Sequence, residues 1–147
     1  MTDHLTANDI VHMNERCIRA YGGTFTPPEN LSDEEVLNKV VEEAAAEQLQ
    51  KPASKAAFYF HAIITRKAFL DANESTALLA SRTFILLNGG SFHKKLKVVA
   101  QNEQQIPENA AGNQQIWLRL VAQTSSGALS LENLEEWFSR NTTVPKI

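Results

Sequence analysis

Lys67, Asp71, Asn73, Glu74 and Ser75 crowd into one turn between two helix-forming runs, and they are where this sequence could do chemistry. The turn reads Lys67-Ala68-Phe69-Leu70-Asp71-Ala72-Asn73. The run that follows, from about Glu74 to Leu87, is strongly apolar and stops at Asn88-Gly89-Gly90, a C-cap signal. A loop that feeds straight into a helix presents unpaired backbone N–H groups and the positive end of the helix dipole. That geometry suits a phosphate or another anion. Asp71 and Asn73 have an equally simple use, capping the helix with no ligand at all.

The stretch resembles the active-site loop of the Fic/Doc (death-on-curing) family, whose pattern is His-x-Phe-x-(Asp/Glu)-(Gly/Ala)-Asn-(Lys or Gly)-Arg-Thr-Ala before a long apolar helix ending in Asn-Gly. Phe69, Asp71, Ala72, Asn73, Thr76 and Ala77 fit it, as does the helix through Phe84 and Leu87 to Asn88-Gly89. Lys67 stands at the catalytic His position, Glu74 where the Doc branch has Lys, and Ser75 where both branches have Arg. The resemblance implies a single all-α domain over 1–147, with a short β-hairpin flap around Gln48–Ser54. It implies an ATP-dependent phosphoryl or nucleotidyl transferase in which Asp71 would hold Mg²⁺ and Asn73, Glu74 and Ser75 would lie at the nucleotide phosphates. Tyr21-Gly22-Gly23 and the Gly127–Glu132 stretch are similar to the two ends of the same family.

The three departures bear on the activity. Lysine is a poor replacement for imidazole as a general base, and losing that base costs ~10²–10⁴ in rate. A loop with neutral His, Asp, Lys and Arg carries +1, whereas Lys67, Asp71, Glu74 and Ser75 carry −1. Glu74 in the first helical turn would satisfy the dipole that a phosphate otherwise satisfies. The expectation is a toxin-related protein without transferase activity and without a cofactor, ATP and Mg²⁺ entering only if a residual site works. It would act on a protein partner, an antitoxin-like segment or a translation-factor target. The alternatives are an active transferase with a rebuilt site and a helical adaptor module.

Composition sets limits on other classes. The 147 residues are 43% hydrophobic, enough for one domain with a sizeable core. A net charge of −3 argues against charge-driven binding to nucleic acid or an anionic membrane. Cys17 is the single cysteine, so no intrachain disulfide forms. No apolar run approaches a membrane span and no signal peptide opens the chain, so a cytoplasmic protein is expected. His4, His12, His61 and His93 are scattered, with His12 and Glu15 only a weak metal spacing.

The elements that must position the loop follow from capping and periodicity. Thr6–Asp9 starts a helix that buries Ile10, Met13, Cys17 and Ala20. Ser32–Glu35 reads as a capping box before a helix burying Val36, Leu37, Val40, Val41 and Ala44. The run Lys55–Arg66 leads into the loop, and of its consecutive Phe58, Tyr59 and Phe60 the sequence leaves Tyr59 as the exposed one. His93–Val99 suits a helical turn, with Lys94, Lys95 and Lys97 as a solvated face. Gln114–Gln123 is periodic through Ile116, Trp117, Leu120 and Val121, and Ser130 caps a last helix carrying Leu131, Leu134 and Trp137 or Phe138.

Overall fold

The computed structural model describes residues 2–21, 30–46, 51–97 and 110–145. Six helices appear among them: α1 (Ala7–Tyr21), α2 (Glu34–Ala44), α3 (Pro52–Arg66), α4 (Asn73–Leu87), α5 (Ala110–Ser126) and α6 (Leu131–Asn141). Two short strands, β1 (Ser91–Phe92) and β2 (Thr142–Thr143), pair antiparallel, Ser91 opposite Thr143 and Phe92 opposite Thr142. The fold class is therefore all-α, and the bridge between β1 and β2 fastens the end of α4 to the end of α6.

Each helix start has a local cause. Thr6 Oγ1 accepts from Asp9 N at 3.1 Å while Asp9 Oδ2 accepts from Thr6 N at 2.8 Å, a reciprocal cap on α1. The cap of α2 falls one residue later than expected: Asp33, not Ser32, accepts from the Val36 N–H at 3.1 Å. Ser32 is drawn off by the segment that follows α3, where its hydroxyl donates to Ala68 O at 3.0 Å. Pro52 opens α3 at its first position, where its missing N–H costs nothing. Residues 52–54 of the expected β-hairpin flap are thus helical, and Gln48–Gln50 lie outside the described residues. Ser130 and Asn133 form a capping box on α6.

α3 is the axis of the molecule, with α2, α4, α5 and α6 all packed on it. A helix surrounded on every side buries its full circumference. That is why Phe58, Tyr59 and Phe60 are all buried, which corrects the expectation of an exposed Tyr59. Tyr59 packs its ring 5.3 Å from Phe84 of α4 and accepts the Leu5 N–H at 3.2 Å through its hydroxyl. Phe60 reaches the other way, into a cluster with Trp117 of α5 and Phe138 of α6. Trp137 and Phe138 both belong to this core. Lys55, almost fully buried, donates to Ala44 O at 2.7 Å and Ala46 O at 3.1 Å, satisfying carbonyls at the end of α2.

Lys94, Lys95 and Lys97 are exposed as expected, but residues 93–97 are not helical. Two side-chain amides hold their backbone instead. Asn113 bonds Leu96 N and Lys94 O, and Asn141 Oδ1 accepts from Lys97 N. Val98 and Val99 lie outside the described residues.

Tyr59→Phe keeps the ring packing but strands the buried Leu5 N–H. A buried donor without an acceptor costs about 1–3 kcal/mol. Urea denaturation of the variant should show a loss of that size with an unchanged m-value; no loss would mean that the hydroxyl is not the acceptor.

Candidate functional site

The loop between α3 and α4 is a braced structure. α3 ends when Lys67 adopts a left-handed conformation, φ 48°, a position that ordinarily favours glycine. Lys67 itself is exposed. The chain then runs antiparallel to residues 30–33, with Phe69 bridged to Leu31. Ala68 O accepts from the N–H groups of Ser32 at 2.9 Å and Asp33 at 3.0 Å, and Leu70 N donates to Asn30 O at 2.8 Å. Phe69 is buried and anchors the loop to the core. Leu70 points to solvent, half-exposed.

A second set of bonds ties the loop to α1. Asn14 is fully buried, and its Nδ2 donates to Asp71 O and to Thr76 Oγ1, both at 2.9 Å. Its Oδ1 accepts from Asn30 Nδ2 at 2.6 Å. One side chain therefore joins α1, the 30–33 segment, the loop and the first turn of α4. Thr76 completes the joint by donating its hydroxyl to Ala72 O at 2.6 Å. Asn30 Oδ1 is left buried without a partner, and the remaining bonds of the network fix the loop against α1.

The residues singled out from the sequence lie as follows. Asp71 is half-buried and its Oδ1 accepts from the Ala72 N–H at 2.7 Å. Ala72 takes a left-handed conformation, φ 59°, and α4 begins without a side-chain cap. Asn73 bonds the backbone of Phe69 twice: Oδ1 accepts from Phe69 N at 3.2 Å and Nδ2 donates to Phe69 O at 2.8 Å. Glu74 is exposed in the first turn of α4. Ser75 is half-buried and faces a groove. The loop thus gathers Lys67, Asp71, Asn73, Glu74 and Ser75 at one helix start. Among the described residues no group of three or more His, Cys, Asp or Glu side chains is placed to hold a metal ion. His61 is on α3, where burial and the nearby Arg66 lower its pKa against the opposing pull of Glu132 on α6.

The groove is the feature that the sequence did not reveal. It encloses about 830 Å³ between α1, α4, the β1 segment and α5. Leu79, Phe92 and Trp117 give it an apolar floor, with Cys17, whose thiol pKa burial raises. Leu86 and Leu118 flank it, each 61% exposed. Arg16 and Arg82 line it, and the Arg82 guanidinium sits 5.8 Å from the Trp117 ring centroid, a cation–π arrangement. No carboxylate is among its described lining residues. The one available sequence signal was α4 itself. Leu78, Leu79, Leu86 and Leu87 are more apolar residues than a single buried stripe requires.

No protein-family model matches the chain, and a search of curated proteins returns no match. No helix among the described residues is long and apolar enough to cross a membrane.

Asn14→Ala removes three hydrogen bonds at once and leaves the Asn30 amide and Thr76 hydroxyl buried with fewer partners. The loss should be on the order of 3 kcal/mol. Hydrogen exchange should quicken selectively at Leu70 and Thr76, whose amides report the loop and the first turn of α4. Uniform exchange across the chain would show that Asn14 supports the core in general and not the loop.

Proposed function

We propose that the chain is a Fic/Doc-like protein that has lost transferase activity and acts by binding a protein segment. The observation that carries the binding half is the groove, apolar along its floor and lined by Arg16 and Arg82 with no carboxylate among its described lining. Its complement is an amphipathic helix with acidic residues beside its apolar stripe, the chemistry of an antitoxin-like segment. Leu86 and Leu118 are apolar anchors left in water without such a partner.

The loss of transfer chemistry rests on the loop. Lys67 offers an ammonium where the family has an imidazole. The Asn73 amide is committed at both ends to Phe69. Glu74 places a carboxylate at the positive end of α4, where a nucleotide phosphate would be repelled. One observation favours the second reading, a transferase with a rebuilt site: α4 has no side-chain cap, so its first turn still offers N–H groups to an anion.

Two measurements separate these readings. With radiolabelled ATP, Mg²⁺ and a cell lysate, the parent protein should leave no labelled protein band. A labelled band that vanishes on Asp71→Ala would establish the transferase. A designed amphipathic helical peptide with acidic flanks should change the tryptophan emission through Trp117 and bind less tightly to Arg82→Glu by about tenfold or more, as expected when a cation at an acidic partner is reversed. Equal binding of the acidic peptide and its lysine-substituted counterpart would contradict the assignment.

A further inference from the structure

Asn88 is the only asparagine of the chain followed by glycine. Glycine has no Cβ to shield the peptide nitrogen that an asparagine carboxamide can cyclise onto. We propose that Asn88 is a deamidation site whose reaction is gated by the segment preceding α1. The chemistry needs only water. The Gly89 nitrogen, having lost its proton to solvent base, attacks Asn88 Cγ, and Nδ2 leaves as ammonia. Water then opens the succinimide to aspartate or isoaspartate.

In the closed state every group that must move is occupied. Asn88 Nδ2 donates to Asp3 O and to Phe84 O, both at 2.9 Å, and Oδ1 accepts from Asp3 N at 2.8 Å. Gly89 N donates to Leu86 O at 3.0 Å in a left-handed turn, φ 78°. The segment that supplies the Asp3 bonds is pinned by Leu5, whose side chain is buried and whose N–H reaches Tyr59 Oη at 3.2 Å. Lifting this segment removes two of the three bonds that orient the carboxamide and frees it to turn toward Gly89.

The product cannot restore the latch. A carboxylate has no donor for Asp3 O or Phe84 O and places negative charge against both carbonyls. Reaction is therefore one-way: a protein that has opened for long enough loses the clamp between the 2–5 segment and the end of α4. The gate follows local opening and not global unfolding.

The test compares deamidation of the Asn88 peptide by mass spectrometry, with isoaspartate content as a second readout, after incubation at mildly alkaline pH. Asp3→Pro removes the Asp3 N–H at an exposed position. Losing one to two kcal/mol of closure should raise the rate about 5–30-fold over the parent. Leu5→Ala, which loosens the same segment from its buried end, should also raise it, and Gly89→Ala should nearly abolish it. Circular dichroism confirms that each variant is folded. In the Asn88→Asp variant the Leu5 amide should exchange faster than in the parent. Equal deamidation rates in the parent and in both folded segment variants would overturn the proposal, as would an unchanged Leu5 exchange rate in Asn88→Asp.

Discussion

The buried carboxamide of Asn14 is the constraint on which the loop between α3 and α4 depends. Its bonds to Asp71 O, Thr76 Oγ1 and Asn30 Nδ2 span sequence separations of 57, 62 and 16 residues. No local preference would bring those groups together. Without Asn14 these buried or part-buried groups would each lose a partner, at about 1–3 kcal/mol where none remains, so the network favours this arrangement of the loop. The turn geometry of Lys67 and Ala72 is held by this bracing, since both residues adopt left-handed conformations that L-residues disfavour by about 1–2 kcal/mol.

Two different surfaces follow from that one brace. On the loop side, polar side chains are bonded back onto the loop's own backbone, as the pair of hydrogen bonds between Asn73 and Phe69 illustrates. From Ser75 onward, the same helix presents Leu79, Arg82 and Leu86 to a groove. α4 is thus shared between a loop that has closed on itself and an open surface. Charge distinguishes the two. The loop residues carry −1, whereas the described groove lining carries arginines and no carboxylate.

Much of the architecture was legible in the sequence because its signals are local. Thr6–Asp9, Ser130 and Asn88-Gly89 mark helix ends by bonds formed within a few residues, and the structure places ends there. The misreadings share a long-range cause. Tyr59 looked exposed because one helix face cannot hold three consecutive aromatics, yet α3 is packed on every side. Ser32 looked like a cap, but Ala68, remote in sequence, claims its hydroxyl. Residues 93–97 looked helical, but Asn113 and Asn141 outbid the helix for their backbone groups. At the site, the loop residues were visible as a motif, whereas the groove arises from four elements meeting and has no contiguous signature.

The proposed function treats the loop as an altered phosphate cradle, and titration of ATP-Mg²⁺ into Lys67→His/Glu74→Lys/Ser75→Arg beside the parent tests it most directly. The three changes return the loop charge from −1 to +1 and put cations beside the positive end of α4. Calorimetry should show the triple variant binding ATP-Mg²⁺ measurably more tightly than the parent, and each single change should do less. A folded triple variant with affinity no higher than the parent would contradict the claim and leave a shared helical scaffold serving as an adaptor.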